Sequence, residues 1–336
     1  MPAYPDNRTA RDRFIVEARH DRPTRDPWTA PDVVVEDERT AGGGTSRTAT
    51  VFLTGRECPW RCLMCDLWQY TTEGKTPPGA IAMQVAKASQ RLRAAHADVD
   101  VVKLYNAGSF FDPNAVPDSD YPDVAQAVVG FRQVVVEAHP ALVGARTARL
   151  IEVFAAASGD ASGPALEVAM GLETVHPGAL ELLNKGITFE RFRQAADQLH
   201  AVGATLRVFL LIAPPFVPAG EQDRWLLRSI DSAVACGASV VSMIPTRGGN
   251  GALEHIADDG HFQQPILSTI ERSIALALNR PRPETVRLFV DLWNLERFST
   301  CDHCLPGRRA RLHAMNLEQR VLAPMTCSSC GYVGAA

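Results

Sequence analysis

Seven short apolar runs of strand length recur along this chain, and helix-length amphipathic stretches separate most of them. The strand-like runs are Thr48–Thr54, Val99–Tyr105, Gln133–Glu137, Leu166–Gly171, Leu206–Ile212, Ser239–Ile244 and Val286–Val290. The helical stretches are Ala80–Ala95, Val124–Phe131, Ala148–Ala157, Phe189–Val202, Gln222–Cys236 and Gln264–Leu278. Repeated strand–helix units with this spacing predict a parallel sheet with helical crossovers. The fold class expected is α/β, a partial (β/α)6 barrel of TIM-like type. With 336 residues and 46% hydrophobic composition, the chain can bury such a core and has room for a small extra module.

The chain divides into three by composition. Residues 1–47 are rich in Arg, Asp, Pro and Gly and read as an extended N-terminal arm, with at most a short helix near Ala10 to His20. Residues 48–295 carry the repeats, and 296–336 carry a separate set of cysteines. No apolar run reaches bilayer-spanning length, and the N-terminus has no signal-peptide core, so no membrane role and a cytoplasmic location are expected. A net charge of −4 provides no global basic field for nucleic acid, although 30 of the 34 basic residues are Arg.

The chemistry concentrates on the loop after the first strand, where barrel sites gather. There Cys58, Cys62 and Cys65 stand as Cys-x3-Cys-x2-Cys within Arg56-Glu57-Cys58-Pro59-Trp60-Arg61-Cys62-Leu63-Met64-Cys65. Three thiolates are one short of the usual set for a [4Fe–4S] cluster, leaving an iron open to a small molecule. The rival readings are a zinc knuckle or three buried structural thiols; zinc knuckles more often use Cys-x2-Cys pairs. After the second strand, Gly108-Ser109 makes a turn with exposed backbone groups. Glu137 and Glu173 close the third and fourth strands, and Lys185 follows in Asn184-Lys185-Gly186. His139, His176 and Cys236 read as structural.

Near the C-terminus, Cys301 and Cys304 and then Cys327 and Cys330 form two Cys-x2-Cys pairs with 22 residues between them, close to zinc-ribbon spacing. Four thiolates fit Zn2+; an auxiliary iron–sulfur cluster also accepts four Cys.

The series Cys58…Cys62…Met64-Cys65, Gly108-Ser109-Phe110-Phe111-Asp112, Glu137…Pro140, Gly171-Leu172-Glu173-Thr174, Lys185-Gly186 and Pro214-Pro215-Phe216 resembles the core of the radical S-adenosylmethionine (radical SAM) superfamily, of the Elp3/MiaB/NifB type. Within it the series resembles the branch of archaeosine-synthase radical SAM subunits and their uncharacterised relatives. The resemblance implies that Cys58, Cys62 and Cys65 hold a [4Fe–4S] cluster and that its open iron binds SAM. It further implies that Met64 lies by the adenine, that Gly108 and Ser109 hold the methionine end, and that Glu137, Glu173 and Lys185 bind SAM. It implies reductive cleavage to a 5′-deoxyadenosyl radical, an electron donor of flavodoxin or ferredoxin type, and a substrate that is a modified tRNA base or a small metabolite. The compact x3 gap and His139, where the relatives carry Arg, depart from that pattern. A competing expectation is an iron–sulfur or zinc factor that binds nucleic acid or protein without radical turnover.

Overall fold

The computed structural model describes residues 3–159 and 163–334. One eight-stranded sheet, in the order β1-β2-β3-β4-β5-β6-β7-β8, forms a curled half-barrel. Its strands are β1 (Asp32–Arg39), β2 (Thr45–Leu53), β3 (Val99–Asn106), β4 (Gln133–Glu137), β5 (Ala165–Glu173), β6 (Thr205–Ile212), β7 (Ala238–Pro245) and β8 (Arg287–Val290). From β2 to β8 every neighbouring pair is parallel. The seven apolar runs are those seven strands.

The helices are α1 (Arg8–Glu17), α2 (Ala80–Ala95), α3 (Tyr121–Val128), α4 (Ala145–Ser158), α5 (Pro177–Leu182), α6 (Phe189–Ala201), α7 (Gln222–Ala235), α8 (Ala252–Asp258), α9 (Leu267–Leu278) and α10 (Leu305–Glu318). Crossover helices α2, α3, α4, α6, α7 and α9 turn their apolar stripes onto the outside of the sheet, as right-handed βαβ units require. Ile81, Val85, Leu92, Phe192, Leu199, Ile230, Ile270 and Ile274 are all buried there.

The first 47 residues do more than an extended arm would. Helix α1 sits where a short helix was expected, capped by Asn7, whose side chain accepts from Ala10 N–H. Residues 32–39 add β1 antiparallel to β2, with Asp32 opposite Phe52 and Arg39 opposite Thr45. The run Asp32-Val33-Val34-Val35-Glu36-Asp37-Glu38-Arg39 hides this strand behind five charges. One of them, Glu38, points into the barrel and is held by cations: Lys103 of β3, and Arg207 of β6, whose Nη2 donates to Glu38 Oε2 at 3.0 Å. Burial alone would raise the Glu38 carboxyl; the charges of Arg207 and Lys103 overcome it and draw it down to about 2.

The sheet does not close. Its free edge at β8 faces α10, and two side-chain amides there take the place of a neighbouring strand. Asn316 accepts from Val290 N–H at 2.9 Å and donates to Val290 C=O at 2.9 Å. Gln319 does the same for Leu288, at 2.8 Å in both directions. Across the opening, Trp293 Nε1 donates to Glu36 Oε1 of β1 at 3.1 Å. No helix among the described residues is long and apolar enough to cross a membrane.

Candidate functional site

All the loops that follow the parallel strands open on one mouth of the half-barrel, and the loop carrying Cys58, Cys62 and Cys65 lies across it. Backbone bonds fasten this loop: Cys58 N–H to Ala107 C=O at 3.4 Å and Leu63 N–H to Leu183 C=O at 2.9 Å. Two buried amides reach in from other loops. Asn184 Nδ2 donates to Arg61 C=O at 2.8 Å, and Asn250 Nδ2 donates to Leu63 C=O at 2.6 Å. Glu57 ties the loop to the N-terminal segment through Arg19 at 2.8 Å and Arg22 at 2.5 Å. The three thiols are therefore carried on a loop braced from at least three directions.

Burial raises the three thiols, Cys58 to about 11 and Cys62 and Cys65 to about 12, and each is raised further by the charge of a companion. Lys185 opposes that rise at Cys58 and Cys62. Such buried thiols bind metal only as they release their protons. Soft sulfur donors suit iron–sulfur.

Beside them lies an ion pair that the backbone distorts itself to build. Glu173 has φ +68, in the left-handed region that non-glycine residues rarely adopt, and a register shift falls between Gly171 and Glu173. The kink brings Glu173 Oε1 to 2.9 Å from Lys185 Nζ. Gly171 is required beneath it, because a Cβ there would lie 2.1 Å from Glu173 Oε1 and 2.6 Å from Lys185 Nζ. Burial alone would lower the Lys185 ammonium; Glu173 and the Cys62 thiol raise it instead. At the end of β6, Ala213 (φ +56) and Phe216 (φ +63) share the same left-handed region, so strain collects on this mouth.

Glu137, at the end of β4, accepts from Asn106 N–H at 3.2 Å, and burial lifts its carboxyl to about 8. The Ser109 hydroxyl accepts from His139 N–H at 3.2 Å, which ties the turn after β3 to the end of β4. A Cβ on Gly108 would lie 2.7 Å from both Ala115 Cβ and Arg56 C=O, so only glycine lets the turn approach the thiol loop. Met64 packs with Phe14, Ile15, Leu63 and Phe216, in the apolar cluster that joins α1 and α8 over the loop.

His139 and His176 each hold local backbone in place. His139 Nδ1 accepts from Ala141 N–H at 3.2 Å, so the proton sits on Nε2, which donates to Lys185 C=O at 3.0 Å. Burial, then the charge of Lys185, lowers His139 to about 3, and Trp60 stacks on the neutral ring with centroids 3.5 Å apart. His176 caps α5 by accepting from Ala179 N–H at 3.0 Å. Cys236 is a buried thiol at the end of α7.

Asn106, the last residue of β3, was not singled out by sequence. It is 5% exposed, yet both polar atoms of its side chain lack a hydrogen-bond partner. A buried amide left open at the rim of a mouth has its donor and acceptor free for a water or a ligand. The sequence signal was available: a polar residue closing an apolar strand, as at Glu137 and Glu173.

The C-terminal cysteines converge separately. Among the described residues, Cys301, Cys304, Cys327 and Cys330 are the one set of His, Cys, Asp or Glu whose ligand atoms all lie within 4.8 Å of one another. Cys304 Sγ and Cys330 Sγ are 3.9 Å apart, against about 3.8 Å for two thiolates on one tetrahedral ion at a zinc–sulfur distance of 2.3 Å. The tight hairpin of β9 (Thr326–Cys327) and β10 (Tyr332–Val333) turns at Gly331, φ +68. Backbone N–H groups of Cys330 and Ser329 draw the Cys327 thiol down to about 6. Tyr332 OH donates to Glu271 Oε2 of α9 at 2.5 Å, and Arg308 of α10 pairs with the same carboxylate at 2.6 Å. The module thus clamps α10 to α9.

No family model matches the chain. It is similar to archaeosine synthase subunit beta of Methanosarcina acetivorans, 27% identical over 265 residues, which is 74% of this chain and 70% of that relative. In fold it is similar to methylornithine synthase (PylB), with a TM-score of 0.52 at 13% identity, covering 94% of this chain and 78% of that one. It is also similar to an N-terminally truncated Elp3 of the archaeon Methanocaldococcus infernus, with a TM-score of 0.50 at 12% identity, covering 71% of this chain and 55% of that one. The chain is thus similar in sequence to an archaeosine synthase subunit and shares its half-barrel fold with these two solved structures.

Proposed function

We propose that this chain is a radical SAM enzyme in which Cys58, Cys62 and Cys65 hold a [4Fe–4S] cluster with one iron left for SAM. One observation carries the reading: three thiols, Cys62 buried and Cys58 and Cys65 half-buried, share a barrel mouth with a strained Glu173–Lys185 pair and the unpartnered amide of Asn106. The donor set is soft and one short of four, and Gly108 lets the turn after β3 pack directly against the thiol loop. When bound, the cluster and SAM supply one-electron cleavage of SAM to a 5′-deoxyadenosyl radical that abstracts hydrogen from a substrate.

The chain's own residues bind, orient and exclude water. Lys185 sets a positive charge beside the thiols and toward a ligand carboxylate, and Glu173 holds that ammonium in place. The Asn106 amide offers one donor and one acceptor to the amino-acid end of SAM, beside the Gly108 turn. Glu137 accepts from ribose hydroxyls. Met64, half-buried against the cluster that contains Phe14, closes the loop against water and holds its register.

The electron donor is a flavodoxin- or ferredoxin-type protein, and the substrate is a modified tRNA base or a small metabolite. The relative's name favours the first of these substrates. The close-set C-terminal thiols hold Zn2+ rather than an auxiliary cluster, because a cubane spreads its thiolates over a four-iron cube and these four gather within 4.8 Å. The test is anaerobic reconstitution with iron and sulfide, then dithionite and SAM. 5′-Deoxyadenosine is expected, and its absence from fully loaded protein overturns the reading.

A further inference from the structure

At the opposite end of the barrel from the thiols, the parallel strands begin around a polar cavity of about 200 Å³. Arg39, Arg132, Arg207 and Arg287 line it together with Glu38 and Glu167. Both carboxylates are already engaged. Glu38 takes Lys103 and Arg207, while Glu167, 1% exposed, accepts from Arg207 Nε at 2.6 Å, Gln133 at 3.3 Å and Ser239 at 3.4 Å.

Charge is left over. With Lys103 there are five cations around the cavity. The carboxylates number three even when Asp100, which reaches Ser46 Oγ at 3.5 Å, is included. Arg287 comes no nearer than 4.0 Å to Glu167, and its Nε is buried without a hydrogen-bond partner. Arg132 spends one donor on a neutral group, Ser46 Oγ at 3.3 Å. Arg39 makes no ion pair among the described residues. Arg287 is the most enclosed of the three, its side chain 13% exposed, and a largely buried cation without a close counter-charge is costly. The guanidinium fork is also the side chain best matched to an oxyanion.

We propose that this cavity is a binding site for a small tetrahedral oxyanion of the phosphate class, gripped by Arg132 and Arg287, with Arg39 closing over it. Arg39 ends β1, Arg132 precedes β4 and Arg287 begins β8, so one anion joins both free edges of the open sheet to its middle. The site stands apart from the thiol mouth and does not depend on the reaction proposed there.

The experiment is thermal unfolding of the full chain in inorganic phosphate against chloride at matched ionic strength, with glycerol phosphate as a further arm. Phosphate is expected to raise the Tm of the wild type by a few degrees, saturably, as ligand linkage requires. Arg132→Gln, at an exposed position, and Arg287→Gln should each remove most of that rise. General salt exclusion acts on all three proteins alike, so the difference between them is what is read. A wild-type rise no larger than in chloride, or the same rise in both variants, overturns the proposal. Given a specific rise, tighter binding of glycerol phosphate assigns the site to a phosphorylated metabolite, and tighter binding of inorganic phosphate assigns it to the free ion.

Discussion

At the scale of single residues, the mouth of the barrel is a set of charges held where water would not leave them. Glu137 titrates with the sign of a buried acid. Between its ordinary value of 4.5 and about 8 the folded chain keeps the proton and the unfolded chain has lost it, so stability falls as pH rises through that window. Glu137→Gln should flatten the stability profile over that range, as read by urea unfolding of SAM-free protein; an unchanged slope would assign it elsewhere. Lys185→Met strands Glu173 at 8% side-chain exposure, with an expected cost of about 3–5 kcal/mol, and adding Glu173→Gln should restore much of it. The same denaturation measurement checks both. Asn106→Leu should leave folding nearly intact, since its amide has no partner to lose, while weakening SAM binding by roughly tenfold or more in equilibrium titration.

At the scale of elements, the parallel strands were legible because each keeps an apolar outer face, even where Lys103, Glu167 and Arg207 turn inward and interrupt the run. β1 was not, since one side of it meets the polar barrel interior, where Glu38 is matched by Arg207 and Lys103. Strand propensity carries no sign of a partner 169 residues away. The same limit applies at the site. The thiols were readable from spacing and the carboxylates from their place at strand ends, where Asn106 could have been read too, whereas Asn184 and Asn250 act through loops brought together only by the fold. Edge protection by α10 is a tertiary device of the same kind. Asn316→Leu and Gln319→Leu each leave a backbone N–H and C=O of β8 unsatisfied and should cost about 1–3 kcal/mol in urea unfolding. They should also promote self-association through the bared strand, visible by light scattering.

At the scale of the whole molecule, two sulfur-rich sites serve different ends of the architecture. The thiol loop lies at the mouth, and the four-cysteine module sits outside the barrel, stapling α10 to α9 through Glu271, Arg308 and Tyr332. Cys327→Ser should lower zinc content toward zero by elemental analysis and reduce the Tm, with iron on the other three cysteines retained. Loss of both metals together would mean that the two sites do not bind independently.

The amides of Asn316 and Gln319 also impose a birth order. Every parallel strand and the thiol loop leave the ribosome before α10 does, so during synthesis the flank between first and last strand stands open like an unbuttoned coat. The garment fastens only when residue 319 arrives.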